Sequence, residues 1–317
     1  MAEADDDLTV AQALSFLEGM GLDDAALDAD AAAAATFAER LCGCGLPVPL
    51  SGDLGCALGA GLPDGLWCLC EPETVLAAQA LDVAAGAEAA VTATRAPLGR
   101  LLHETADLGE LQHVARVAGR LAQRAPAPFA VGAVNLADCR ALAPGAVNEG
   151  VRALCAGFKE AGLHGVLVEN VPNGAVGYGA VRAAQGCGLP VAALCDWASV
   201  PDGTLRWLAF AALAAAGASC VGASSVPWEA LATASRSMEA EARRLGVSGA
   251  VVARYDGNGA PVEWPGDEVR ALGLLGVTGA PPRAAASLWA SLAQGPSPTA
   301  HPTPCCRLYE TSSAFAG

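Results

Sequence analysis

Two hydrophobic patterns alternate along most of the chain. One is a run of six to nine residues that is apolar on both faces: "VPLSGD" (48–53), "EAAVTAT" (88–94), "PFAVGAVN" (128–135), "HGVLVEN" (164–170), "LPVAALCDW" (189–197), "SCVGASS" (219–225), "GAVVARYD" (249–256) and "ALGLLGVTG" (271–279). Strands of this kind belong to parallel sheets covered by helices. The other pattern is a longer segment of helical character, and it predicts helices over 72–85, 108–124, 145–161, 175–187, 203–216, 227–245 and 282–294. Four of these helices stop at a glycine just before the next strand, in "AAGAEAAV", "EAGLHGVLV", "QGCGLPVAA" and "AAGASCVGA". Glycine there supplies the left-handed cap that lets the chain reverse in a short turn.

Eight strands with intervening helices predict a single-domain α/β protein, a (β/α)8 TIM barrel over 38–295. A doubly wound sheet is the alternative, but it would want a G-x-G-x-x-G turn after its first strand. The segment "SGDLGCALGAG" (51–61) spaces its glycines differently. Only about fifteen residues separate the last two strands, so the seventh helix should be short or absent. Residues 1–37 read as an acidic, Ala-rich helical lead-in with Val10, Ala13, Leu14 and Leu17 on one face. Residues 296–317 form an extended Pro/Ser/Thr-rich tail. Its "CCRLYETSSAF" places Leu308, Tyr309 and Phe315 on a flexible segment, the kind that orders on a partner.

Composition narrows the function. The chain is 53% hydrophobic and 16% charged, a globular profile. Its net charge is −15 and Lys159 is the sole lysine, so nucleic acid and anionic lipid are discounted as partners. The opening "MAEADDDLTV" is acidic where a secretory signal needs positive charge, which predicts a cytoplasmic protein. The long uncharged run from Trp207 to Trp228 contains Gly217, Gly222 and Pro227 and reads as a buried helix entering a buried strand, with no membrane span. Twelve cysteines then read as reduced thiols. Cys42/Cys44, Cys68/Cys70 and Cys305/Cys306 are C-x-C or C-C pairs, not zinc knuckles.

In a barrel the chemistry sits at the C-terminal strand ends, which here read "SGDLG", "TATRA", "VNLAD", "VENVPN", "CDWAS", "GASSV", "YDGNG" and "GVTGAPP". This order resembles the homocysteine S-methyltransferase family over about 38–295. The best stretch is "CEPETVLAAQALDVAAGAEAAVTATRAP" (70–97), supported by "LHGVLVEN", "GASCVGASS" and "LGVTGAPPRAAASLWASL". The resemblance implies a zinc ion on three cysteine thiolates, which activates the thiol of homocysteine for methyl transfer. Carried over residue by residue, the three ligand positions are Ser225, Val277 and Thr278, and none can supply a thiolate. The family's first-strand acid is Ser51 here, two of its asparagines are Ala93 and Ser224, and its helix histidine is Gln79. Glu169 is the clearest survivor among the polar contacts to the amino acid. The resemblance therefore implies a degenerate member, a pseudoenzyme with no metal and no cofactor.

Other chemistries are weakly signalled. Cys220 lies at the wrong end of its strand, ~16 Å from the mouth at ~3.3 Å per residue. Cys305 and Cys306 would have to fold back from the tail. Glu169 and Asp196 end neighbouring strands and could act as acid and base, although a turn-capping role for Glu169 is favoured. His164 begins a strand and reads as structural, while His103 and His113 read as solvated. No G-x-S-x-G elbow surrounds any serine. The expectation is a catalytically inactive barrel that binds a protein partner or serves as a structural subunit of a larger complex. The alternative is a zinc-independent small-molecule enzyme, or a residual S-methyltransferase acting on homocysteine or a related thiol, with Glu169 gripping an amino group and Asp196 or Asp256 assisting.

Overall fold

The computed structural model describes residues 31–41, 50–51, 66–84, 86–200, 203–227, 230–254 and 274–278. The helix expected near the start of the lead-in, the connection between the last two strands, the helix at 282–294 and the tail lie outside the described residues, as does Asp256.

In chain order the elements are α1 (Ala31–Leu41), α2 (Trp67–Cys70), α3 (Pro72–Ala84), β1 (Ala89–Val91), α4 (Leu98–Glu104), α5 (Leu108–Arg124), β2 (Phe129–Asn135), α6 (Pro144–Glu160), β3 (Gly165–Val171), α7 (Gly174–Gln185), β4 (Val191–Asp196), α8 (Gly203–Ala215), β5 (Cys220–Pro227), α9 (Leu231–Leu245), β6 (Ser248–Arg254) and β7 (Leu274–Thr278). The helix starts follow ordinary capping chemistry. Asp107 accepts the Glu110 N–H at the head of α5, and Asn173 accepts the Val176 N–H at the head of α7. Pro144 opens α6, where its missing N–H costs nothing. The turns at the other ends carry Gly86, Gly162, Gly188 and Gly217 with φ between +73° and +116°, as the glycine pattern predicts. The short helix α4 was not visible in the hydrophobic period, because it is only seven residues long.

The seven strands among the described residues are all parallel and run β1-β2-β3-β4-β5-β6-β7, each paired with its successor. Ahead of β1, Leu50 forms a parallel bridge with Ala89, and the Ser51 N–H donates to the Ala89 carbonyl at 2.8 Å. The predicted first strand is thus represented at its point of pairing. The architecture is α/β and TIM-barrel-like, with helices alternating with an all-parallel sheet.

Strands β1 to β5 bury both faces, as their composition requires. On β2, Ala130 and Val134 point into the large helix-side core, while Phe129, Val131 and Ala133 join Leu50, Val91, Leu167, Ala192, Leu194 and Cys220 on the inner side. The inner cluster also takes in Phe37 from α1. Its ring stacks at a tilt on Phe129, 5.2 Å between centroids. A Cβ on Gly165 would fall 2.3 Å from that ring, so only glycine lets β3 start there. Helix α1 therefore seals the N-terminal end of the sheet interior. His164 completes this end: its Nδ1 accepts the Ala130 N–H at 2.9 Å, and its own N–H donates to the Ala130 carbonyl. That is a structural histidine, as expected. Among the described residues, no helix is long and apolar enough to cross a membrane.

Small residues set the helix spacing. A Cβ on Gly157 of α6 would lie 2.2 Å from the Gln112 carbonyl oxygen of α5 and 2.8 Å from the Ala115 Cβ. Backbone cannot yield as a side-chain tip can. Gly157→Ala is expected to cost about 2–3 kcal/mol, the upper part of the overpacking range, in a urea unfolding titration. Gly145→Ala in the same helix has no heavy atom within 4 Å of its new Cβ and should be neutral or stabilising by up to about 1 kcal/mol. Equal effects of the two changes would contradict the packing account.

Candidate functional site

The C-terminal ends of β1, β2 and β3 converge on a buried carboxylate. Register pairs Asn135 of β2 with Glu169 of β3, and the Glu169 side chain is only 3% exposed. A carboxylate at that depth needs a cation and hydrogen bonds. Arg95, just past β1, supplies both: Nε donates to Oε1 and Nη2 to Oε2, each at 2.8 Å. This is the bidentate fork that a guanidinium forms with a carboxylate. The Arg95 side chain is itself 11% exposed, so the pair is largely withdrawn from solvent. Asn135 fixes the arginine from behind, its Nδ2 donating to the Arg95 carbonyl at 2.7 Å. Glu169 thus does not cap a turn through its side chain. It is one half of an ion pair.

The second part of the mouth is made by two irregular strands. The β3–β4 register slips between Val168 and Val171, and the β5–β6 register slips between Ala223 and Val226. Each slip holds a non-glycine residue in the left-handed region, Asn170 with φ 54° and Ser225 with φ 55°. Asparagine tolerates that conformation better than serine does. Bulges of this sort re-aim a side chain, and strain of about 1–3 kcal/mol persists only where surroundings enforce it. The two bulged residues meet over the end of β4, where the Ser225 hydroxyl donates to Asn170 Oδ1 at 2.9 Å. Ser224 accepts the Asn170 N–H and donates to the same Oδ1, both at 2.9 Å. Asn170 Nδ2 in turn donates to Asn135 Oδ1 at 3.1 Å. A continuous polar network therefore joins β2, β3 and β5, and it touches the ion pair through Asn135.

The remaining predicted positions fall as follows. Asp196 ends β4 and accepts the Ser199 hydroxyl at 2.6 Å, so Glu169 and Asp196 each have their own partner. Ser51 is buried, its hydroxyl accepting the Val91 N–H at 2.9 Å. Gln79 is buried too and donates to the Val91 carbonyl at 2.9 Å. Both positions serve strand β1. Ala93 is buried apolar surface, His103 is exposed, and His113 is half-buried with Nδ1 2.7 Å from an Arg116 nitrogen. Val277 and Thr278 end β7, in register with Ala253 and Arg254 of β6, which places them at the same sheet end as Ser225. Cys305 and Cys306 lie outside the described residues.

The donor set does not fit zinc. A serine hydroxyl already committed to Asn170, a valine and a threonine cannot make a thiolate site. Cys195, one residue before Asp196, is a buried free thiol towards this end. Burial above all, and then the Asp196 charge, pushes it up to about 12, so it stays protonated at neutral pH. Among the described residues, no group of three or more His, Cys, Asp or Glu side chains could hold a metal ion.

Neither a protein-family model nor a curated protein sequence matches the chain. Solved structures do. The homocysteine methyltransferase MmuM from Escherichia coli is similar in its oxidized form with a TM-score of 0.63 and 19% identity. Its metallated form is similar with a TM-score of 0.61 and 17% identity. Both alignments cover 80% of this chain and 99% of that one. At such identities the likeness is one of fold.

Arg95, Asn135 and Asn170 were absent from the sequence-based candidates. Their signal was present in the strand ends "TATRA", "VNLAD" and "VENVPN", but nothing local says that an arginine from one end reaches a glutamate two strands away. The ion pair makes a direct prediction. Arg95→Met leaves a buried, uncompensated carboxylate and should cost about 3–5 kcal/mol in chemical denaturation. Adding Glu169→Gln should recover at least about 1 kcal/mol of that loss, since neighbouring sites couple. A double variant no more stable than Arg95→Met would show that the pair is not coupled as described.

Proposed function

We propose that the chain is a closed (β/α)8 barrel of the homocysteine S-methyltransferase type that no longer performs methyl transfer and acts as a protein-binding or structural subunit. The observation that carries the reading is the Arg95–Glu169 pair. In the resembled family the carboxylate at this strand end contacts the amino acid substrate. Here a guanidinium of the chain itself occupies both carboxylate oxygens at 2.8 Å. A substrate ammonium would have to displace a bidentate, largely desolvated partner, at a cost on the scale of breaking a buried ion pair, about 3–5 kcal/mol. That is enough to reduce affinity by about two to three and a half orders of magnitude.

The positions resembling the zinc ligands support the same reading by residue type. Ser225, Val277 and Thr278 offer no thiolate to activate a thiol substrate. Ser51 and Gln79 have been absorbed into the support of β1. The recognition half of the proposal rests on the surface: Tyr178, Leu205 and Leu208 on adjacent helices α7 and α8 are 46%, 50% and 57% exposed. Contiguous apolar side chains of this size mark interaction surfaces more often than they occur by chance.

The alternative reading, a zinc-independent enzyme at the same mouth, draws on the strained pair Asn170 and Ser225, because such strain gathers at active sites. The proposal is tested by restoring the ligands and by assaying the unmodified protein. The triple change Ser225→Cys, Val277→Cys, Thr278→Cys should create zinc binding. It should raise stability by about 2.7 kcal/mol when free zinc is a hundredfold above its Kd. The triple variant should still not methylate homocysteine, because Arg95 continues to hold Glu169. Methylation of homocysteine by the unmodified protein, with betaine or another methyl donor, would overturn the proposal. A folded triple variant that binds no zinc would overturn the assignment of the three positions.

A further inference from the structure

The network at the mouth does not use a second concavity, a groove of about 830 Å³ where helices α7 and α8 begin. Its walls follow from the helix period. On α8, Arg206, Ala209, Phe210 and Leu213 are buried. Leu205, Leu208 and Ala212 recur three and four residues apart and form a separate ridge along the groove. Gly174 makes the floor: a Cβ there would lie 3.3 Å from both the Ala209 Cα and the Ala212 Cβ, so the start of α7 rests directly on α8. Five large hydrophobic side chains are exposed among the described residues, and three of them, Tyr178, Leu205 and Leu208, line this groove. Such concentration separates an interaction surface from singly scattered leucines.

The groove carries one charge. Arg140 is the charged residue of the lining, and its Nη2 donates to the Pro172 carbonyl at 3.1 Å. Among the described residues no carboxylate pairs with it. Asp138, two residues earlier, is committed to the Gly99 and Arg100 N–H groups. A fitting occupant therefore presents bulky apolar side chains beside a single carboxylate. The chain's own tail has that chemistry: Leu308, Tyr309 and Phe315 stand near Glu310, the sole Asp or Glu in 296–317. A net charge of −15 disfavours a separate acidic partner, whereas a tethered segment is presented at an effective concentration of about millimolar. Reach is sufficient. Even if 282–294 coils as the pattern expects, the Pro-rich 295–307 alone can span about 40 Å at ~3.1 Å per residue. That exceeds the diameter of a small domain, about 30 Å.

We propose that segment 305–315 of this chain docks in the groove between α7 and α8. Leu308, Tyr309 and Phe315 cover Leu205, Leu208 and Tyr178, and Glu310 pairs with Arg140. The inference rests on the reading of this face as an interaction surface, given above, and names its occupant. An outside partner then gains the face only by displacing the tail. Nothing in it depends on whether the mouth binds homocysteine.

The test uses the full chain, reduced, with the photoreactive p-benzoylphenylalanine in place of Phe315. It is irradiated at low micromolar concentration, digested and read by mass spectrometry. The expected product is an adduct within one chain on α7 or α8, near Tyr178 or Leu208, with a yield that tenfold dilution does not change. Glu310→Arg should lower that yield at least about twofold, the scale of losing an exposed ion pair. Adding Arg140→Glu to that chain should restore it. Leu308→Asp with Tyr309→Asp should lower the yield at least about tenfold, since two large apolar contacts are lost. The tail substitutions leave the described packing unaltered, so they decide the matter even if Arg140→Glu fails to fold. A covalent dimer as the main product would assign the groove to a second copy and overturn the proposal, while upholding the face as an interaction surface. Adducts elsewhere in the chain, or none, would overturn it as well. None of these outcomes bears on homocysteine binding, so the two readings fail separately.

Discussion

Burying Glu169 at the end of β3 imposes the demand around which the mouth is arranged. A carboxylate 3% exposed must be met by charge and donors. The source is the end of β1, two strands earlier in the sheet, where Arg95 stands. Arg95 can reach because β1, β2 and β3 are adjacent and parallel, and because Asn135 holds its carbonyl. From Asn135 the constraint passes to Asn170, and from Asn170 to Ser224 and Ser225. Asn170 and Ser225 hold their left-handed backbone within this network of side-chain hydrogen bonds. The polar groups of the mouth are thus met by one another.

Packing obeys a second constraint of the same kind. An all-parallel sheet needs a helix layer close to one face and an apolar filling on the other. Gly157 brings α6 against α5, and Gly165 makes room for the Phe37 ring at the closed end. The consequence is a rigid floor under the strand ends.

The strand and helix order was legible because each strand is apolar on both faces and each helix shows its own period. Six of the predicted helices coincide with observed ones to within a few residues, and Gly86, Gly162, Gly188 and Gly217 take the left-handed conformation that the turn pattern requires. The short α4 was not legible, since seven residues hold too few turns to display a period. At the mouth, Glu169 was legible as a polar residue ending an apolar strand, but its partner was not. Ion pairing depends on register between strands about 74 residues apart in the chain. The bulges at Asn170 and Ser225 were equally invisible, because neither residue is a glycine and a one-residue slip leaves no mark in an apolar pattern.

The central claim is that the mouth spends the buried Glu169 carboxylate on Arg95. A calorimetric titration of the reduced protein with L-homocysteine, carried to millimolar ligand with Glu169→Gln as control, tests it most directly. The account predicts no saturable heat for either protein. Saturable one-to-one binding by the parent that Glu169→Gln abolishes would show that Glu169 is available to a substrate amino group, and would contradict the account.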